Sequence, residues 1–117
     1  MKKTALLVID VQNDYFPAGK MALFEPEQAL ENIQRLEKSF HRAQAPIIYI
    51  QHIAASREAP FFVAGTHGVK LHVDLAINAS SIIVEKQFPN SFFQTDLKEI
   101  LDQLRIEKVI ITGMMTH

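Results

Sequence analysis

Ala5-Leu6-Leu7-Val8-Ile9-Asp10-Val11-Gln12-Asn13-Asp14 is the stretch from which the fold is read. Its apolar residues run without a break from Ala5 to Ile9, and an acid follows at once. A strand with one wet face alternates apolar and polar residues. A continuous run has both faces covered, as parallel strands lying between helices do. Pro46–Ile50, Ile82–Val84 and Val109–Thr112 have the same character and are rich in Ile and Val.

Helical spacing lies between these runs. From Pro26 to about Ala43, Leu30, Ile33, Leu36 and Phe40 form an apolar stripe. Pro26 suits the first helical position, and Glu25 and Glu27 favour the positive end of the helix dipole. Lys38, His41 and Arg42 sit at the other end, and Pro46 blocks continuation. Glu27, Glu31, Glu37 and Lys38 read as a solvated face. Further on, Thr95 is a candidate N-cap with Asp96 in the first turn. Leu97, Ile100, Leu101 and Leu104 then fall at i, i+3, i+4 and i+7. With Ile82–Val84 before it and Val109–Thr112 after it, this helix makes a βαβ unit. Strand–helix–strand order predicts an α/β fold: a three-layer open parallel sheet, Rossmann-like, with helices on both faces.

The 117 residues are one small domain's worth of chain, and no repeat or linker divides residues 1–117. Twelve Lys and Arg against thirteen Asp and Glu give a net charge of −1, which leaves no basic excess for nucleic acid. No apolar run reaches the roughly 18 residues of a membrane span. The Met1–Ile9 opening lacks the longer apolar region and cleavage site of an export signal, so a cytoplasmic protein is expected. There is no cysteine, which excludes disulfides and a cysteine nucleophile within these residues. No GxGxxG, GxxxxGK[ST], GxSxG or HExxH occurs.

An open parallel sheet holds its ligands beyond the carboxyl ends of its strands. Asp10 leaves the first strand there, His52 the second and Glu85-Lys86 the third; Thr112-Gly113-Met114-Met115-Thr116-His117 leaves the fourth. Asp10 is costly to bury without a cation, and Lys86 stands at the corresponding point of another strand. At ~4 Å and an effective dielectric near 20 their attraction is about 4 kcal/mol before desolvation. These residues alone leave two readings open: a structural ion pair closing the sheet edge, or a catalytic pair. Asp14 reads as a turn former and His52 as a hydrogen-bonded histidine facing the crevice. His67 and His72 match no metal template. Phe61-Phe62 and Phe92-Phe93 read first as core packing and second as pocket lining. The long Ala54–Val73 connection reads as a lid or a disordered loop.

Three blocks resemble the isochorismatase-like cysteine hydrolases: Ala5–Phe16, Glu85-Lys86 with Asn90-Ser91-Phe92, and Val109–His117. The resemblance implies that family's parallel sheet, incomplete here, and a triad of aspartate, lysine and cysteine. The aspartate falls on Asp10 and the lysine on Lys86. The cysteine would follow the segment Met114–His117, and a cis peptide would fall at Met114-Met115. A nearby lysine lowers a thiol's pKa, and an aspartate can carry its proton. The implied reaction is hydrolysis of a C–N bond in a small amide through a thioester. Tyr15, Phe16, His52, Met115 and His117 are the candidate substrate contacts. The Asp-x-His of metal-binding members is not reproduced at Gln51-His52-Ile53-Ala54, so no metal and no other cofactor is expected. The expected partners are a small-molecule substrate and, through exposed sheet surface, further copies of the chain; no membrane is expected. The alternative function is an inactive assembly or small-molecule binding module.

Overall fold

The computed structural model describes residues 3–17, 19, 20, 22, 23 and 25–114. Its elements are β1 (Thr4–Ile9), a 3-10 turn (Asn13–Tyr15), α1 (Pro26–Arg42), β2 (Ile47–His52), β3 (Ile82–Lys86), α2 (Leu97–Gln103) and β4 (Lys108–Gly113). The strands form one sheet in the order β3-β2-β1-β4, and every pairing is parallel. All carboxyl ends therefore lie on one edge.

Alternation along β1 and β2 sends side chains to two cores. Leu6, Val8, Ile47 and Tyr49 pack with Leu30 and Ile33 of α1. Leu7, Ile48, Ile50 and Val84 pack with Leu97 of α2 on the opposite face. The helices thus cover both faces, as the unbroken apolar runs predicted. The outer strands are less covered: Ile83 is 48% and Ile111 is 61% exposed. A run of branched residues does not tell a central strand from an edge strand, so this difference was not legible.

The expected βαβ unit is present around α2 and joins the two edge strands, with β2 and β1 lying between β3 and β4. Two expectations are corrected. Glu37 is not solvated: it is 1% exposed, and its carboxylate accepts hydrogen bonds from the Tyr49 hydroxyl and from Ala76 N, the latter at 2.8 Å. It lies beside the apolar stripe, and the 53–81 connection covers it. That connection carries no helix and docks Phe62, Val69 and Leu75 into the α1-side core. Finally, Phe92 and Phe93 are half-exposed, not core, with Phe93 edge-on to Phe88.

Tyr49 and Glu37 are both buried, so removing the Tyr49 hydroxyl leaves the Glu37 carboxylate with Ala76 N as its remaining described donor. Tyr49→Phe is expected to cost about 1–3 kcal/mol in urea unfolding. An unchanged midpoint would show that the pair is not what holds this side of α1.

Candidate active site

β1 stops because its backbone turns. Asp10 N still donates to Ile50 O at 3.0 Å, but Asp10 itself sits at φ 59°. Aspartate tolerates this left-handed region better than most side chains. Beyond it, Gln12–Tyr15 forms a short turn. β4 ends at Gly113, where φ is 153° and a Cβ would fall 2.2 Å from Ile9 O. Only glycine permits that approach, and Met114 N then donates to Ile9 O at 3.1 Å. Gly113→Ala is expected to destabilise the fold measurably in thermal unfolding, since backbone must shift; an unaltered Tm would contradict this.

The strand ends enclose a cavity of about 380 Å³, whose walls include Asp10, Tyr15, His52, Phe61, Lys86 and Met114. Lys86 Nζ stands 3.4 Å from Asp10 Oδ2. It donates to Pro89 O at 3.0 Å and lies 3.5 Å from Ser91 Oγ. The ammonium is thereby held by acceptors from two elements, and its side chain is 2% exposed. The other carboxylate oxygen, Asp10 Oδ1, is buried with no hydrogen-bond partner among the described residues. A buried acceptor without a donor is costly in a fold; Glu37 Oε1, away from this cavity, is in the same state among the described residues.

Electrostatics follow from this burial. Desolvation pushes the Asp10 carboxyl above its ordinary value, with Lys86 and His52 pulling the other way. Burial and the nearby Asp10 push the Tyr15 hydroxyl up to about 12, so it stays protonated. Burial holds His52 below its usual 6.5; Asp10 opposes that shift and Lys86 adds to it. His52 is accordingly a neutral ring at pH 7. A depressed histidine stabilises the fold above its unfolded pKa, and this contribution is lost as pH falls through the folded value. Wild-type stability is therefore expected to fall between pH 7 and 5 more steeply than that of His52→Asn, read by urea titration at each pH. Parallel profiles would contradict the assigned burial.

Of the residues singled out by sequence, Asp10, Lys86, Tyr15 and His52 meet in this cavity. Phe16 does not: its ring lies tilted against His72, centroids 4.2 Å apart, and it lines a different groove, with Lys20 and Lys70. Met115, His117 and the Met114-Met115 peptide lie outside the described residues. Phe61 lines the cavity, while Phe62 is core. Asp14 is more than a turn former: its buried carboxylate accepts from Phe62 N at 2.7 Å and Lys20 N at 3.2 Å. Asn13 and Asp14 backbone N–H groups donate to Lys70 O and Gly68 O, so the 54–73 segment is pinned rather than lid-like. Pro89, Ser91 and Gln12 were missed as site-builders; for Ser91 the signal was its place just after Lys86 in a recognisable block. Among the described residues, no group of three metal-ligating side chains occurs. Likewise, no described helix is long and apolar enough to cross a membrane.

The isochorismatase domain model matches residues 4–117. The chain belongs to the isochorismatase family. It is 44% identical over 114 residues to an uncharacterised isochorismatase family protein of Bacillus subtilis, covering 97% of this chain and 63% of that protein. A secreted isochorismatase effector of Verticillium dahliae is 32% identical, with 97% and 59% covered. Among solved structures, a provisionally assigned isochorismatase hydrolase of Oleispira antarctica superposes with a TM-score of 0.91 at 39% identity. That match covers 97% of this chain and 62% of the Oleispira chain. The chain thus spans less than two thirds of these relatives' length. Family membership carries a hydrolase assignment at the level of the family and agrees with the three-layer parallel fold.

Proposed function

We propose that residues 1–117 supply the acid–base and cationic part of a cysteine-dependent hydrolase acting on a C–N bond of a small amide. The observation that carries this reading is the buried Asp10–Lys86 pair at 3.4 Å in the wall of a cavity, with no partner for Asp10 Oδ1 among the described residues. The chain has no cysteine, so in this reading the sulfur lies outside residues 1–117. Lys86, fixed by Pro89 O, Ser91 and Asp10, supplies the positive charge that favours a thiolate over a thiol. Asp10 receives the thiol proton as the sulfur adds to the amide carbonyl. It then returns that proton to the departing amine, leaving a thioester. Water, deprotonated by the same carboxylate, cleaves the thioester and regenerates the thiol. Burial moves the Asp10 carboxyl upward, the direction that favours taking up the thiol proton.

Tyr15, His52 and Phe61 are the described candidates for contacting the substrate; Met115 and His117 are proposed from the family pattern alone. In this reading the enzyme needs no metal or other cofactor, and it works in the cytoplasm as an oligomer.

In the protein that carries the sulfur, Lys86→Met and Asp10→Asn should each lower amide turnover by at least about 10³-fold, in line with loss of a group acting as part of a unit. Ammonia release is the readout. Undiminished turnover by either variant overturns the assignment, as does turnover by residues 1–117 alone. A second reading, binding without chemistry, is favoured by the absence of cysteine. An electrophilic amide analogue separates the two, because only a nucleophile forms a covalent adduct detectable by mass.

A further inference from the structure

Gln12 is fully buried, and the site as described gives it no chemical task. Its carboxamide makes three hydrogen bonds. Nε2 donates to His52 O at 2.9 Å and to Val69 O at 2.7 Å, while Oε1 accepts from His52 N at 2.8 Å. The pattern has a meaning in sheet geometry. A parallel ladder between β1 and β2 pairs Asp10 N with Ile50 O, and that bond is present at 3.0 Å. The next rung would bring the Asp10 carbonyl to His52 N, and a backbone N–H two residues on to His52 O. Neither forms, because the chain turns at Asp10 and its carbonyl is taken by Gln12 N at 3.0 Å.

We propose that Gln12 is a positioning residue whose side-chain amide replaces the missing peptide of β1. It completes the ladder to His52 while the Asp10 backbone leaves the strand. On its far side, the His52 segment is held by Ile53 N donating to Lys86 O at 2.8 Å. With both sides paired, β2 runs straight to the cavity and presents the His52 ring beside Asp10, Lys86 and Tyr15. A continued β1 would pair His52 equally well, but Asp10 would then remain in an extended strand. The surrogate peptide permits both features together: a strand that ends early enough to turn its carboxylate, and a neighbour that does not fray. The spacing follows from this, since Asp10 must turn and the amide must reach back from two residues on. Val69 O also accepts from Gln51 Nε2 at 3.0 Å, so the loop has an anchor that does not touch the His52 peptide.

That second anchor supplies the control. The inference rests on reading the Asp10–Lys86 cavity as the site, but its test needs no turnover. In the labelled wild-type protein, the His52 N–H should exchange with solvent as slowly as the Ile50 N–H. Gln12→Leu should speed His52 exchange at least about tenfold and move the His52 imidazole resonances at fixed pH, whereas Gln51→Leu should leave both in place. Rapid His52 exchange in the wild type overturns the proposal, and so does an unmoved imidazole in a folded Gln12→Leu. Equal effects from Gln51→Leu also overturn it, because they would show general loosening of the loop. Should Gln12→Leu fail to fold, wild-type exchange together with Gln51→Leu still decides. Loss of amide turnover with unaltered exchange would count against the positioning role alone and leave the hydrolase reading standing.

Discussion

A carboxylate and an ammonium removed from water, 3.4 Å apart, are the constraint around which this structure is arranged. Each would be strongly unfavourable alone, and the pair recovers its desolvation only through close approach and further hydrogen bonds. Lys86 has those further bonds, to Pro89 and Ser91, whereas one oxygen of Asp10 has no donor among the described residues. Among the described residues the pair is satisfied on the cationic side and lacks a donor at Asp10 Oδ1, in a residue that lines the cavity.

The rest of the fold makes that asymmetry possible. Parallel strands bring Asp10, His52, Lys86 and Gly113 to one edge. β1 can stop at Asp10 without exposing β2 because the Gln12 amide takes up its pairing. The segment after Asp10 is also the rack on which the 54–73 connection hangs, through Asn13 and Asp14. Gly68 must be glycine there, since a Cβ would fall 1.9 Å from the Asp14 carboxylate. Chain turning, loop docking and the cavity wall are therefore one structure.

Much of this was legible in the residues. Unbroken apolar runs and helical stripes identified the strands and helices, and an acid and an amine at strand ends identified the pair. Strand order was not legible, because hydrophobic runs give no neighbour and β3 and β4 lie at opposite edges. Glu37 was misread because its burial comes from a distant connection without periodicity, and Phe16 because adjacency to Tyr15 does not fix which cavity a side chain faces. The role of Gln12 depends on a ladder rung that fails to form, and only coordinates show it. The family was legible from three blocks together, in an order that the domain match over residues 4–117 supports.

The role proposed for Lys86 and Asp10 is to ionise a sulfur. Its most direct measurement is the pH dependence of alkylation by iodoacetamide, in the protein that carries the sulfur. A thiol titrating well below the about 8.5 of free cysteine is expected, moving back toward that value in Lys86→Met. A thiol titrating normally in the wild type, or one indifferent to Lys86, would contradict it.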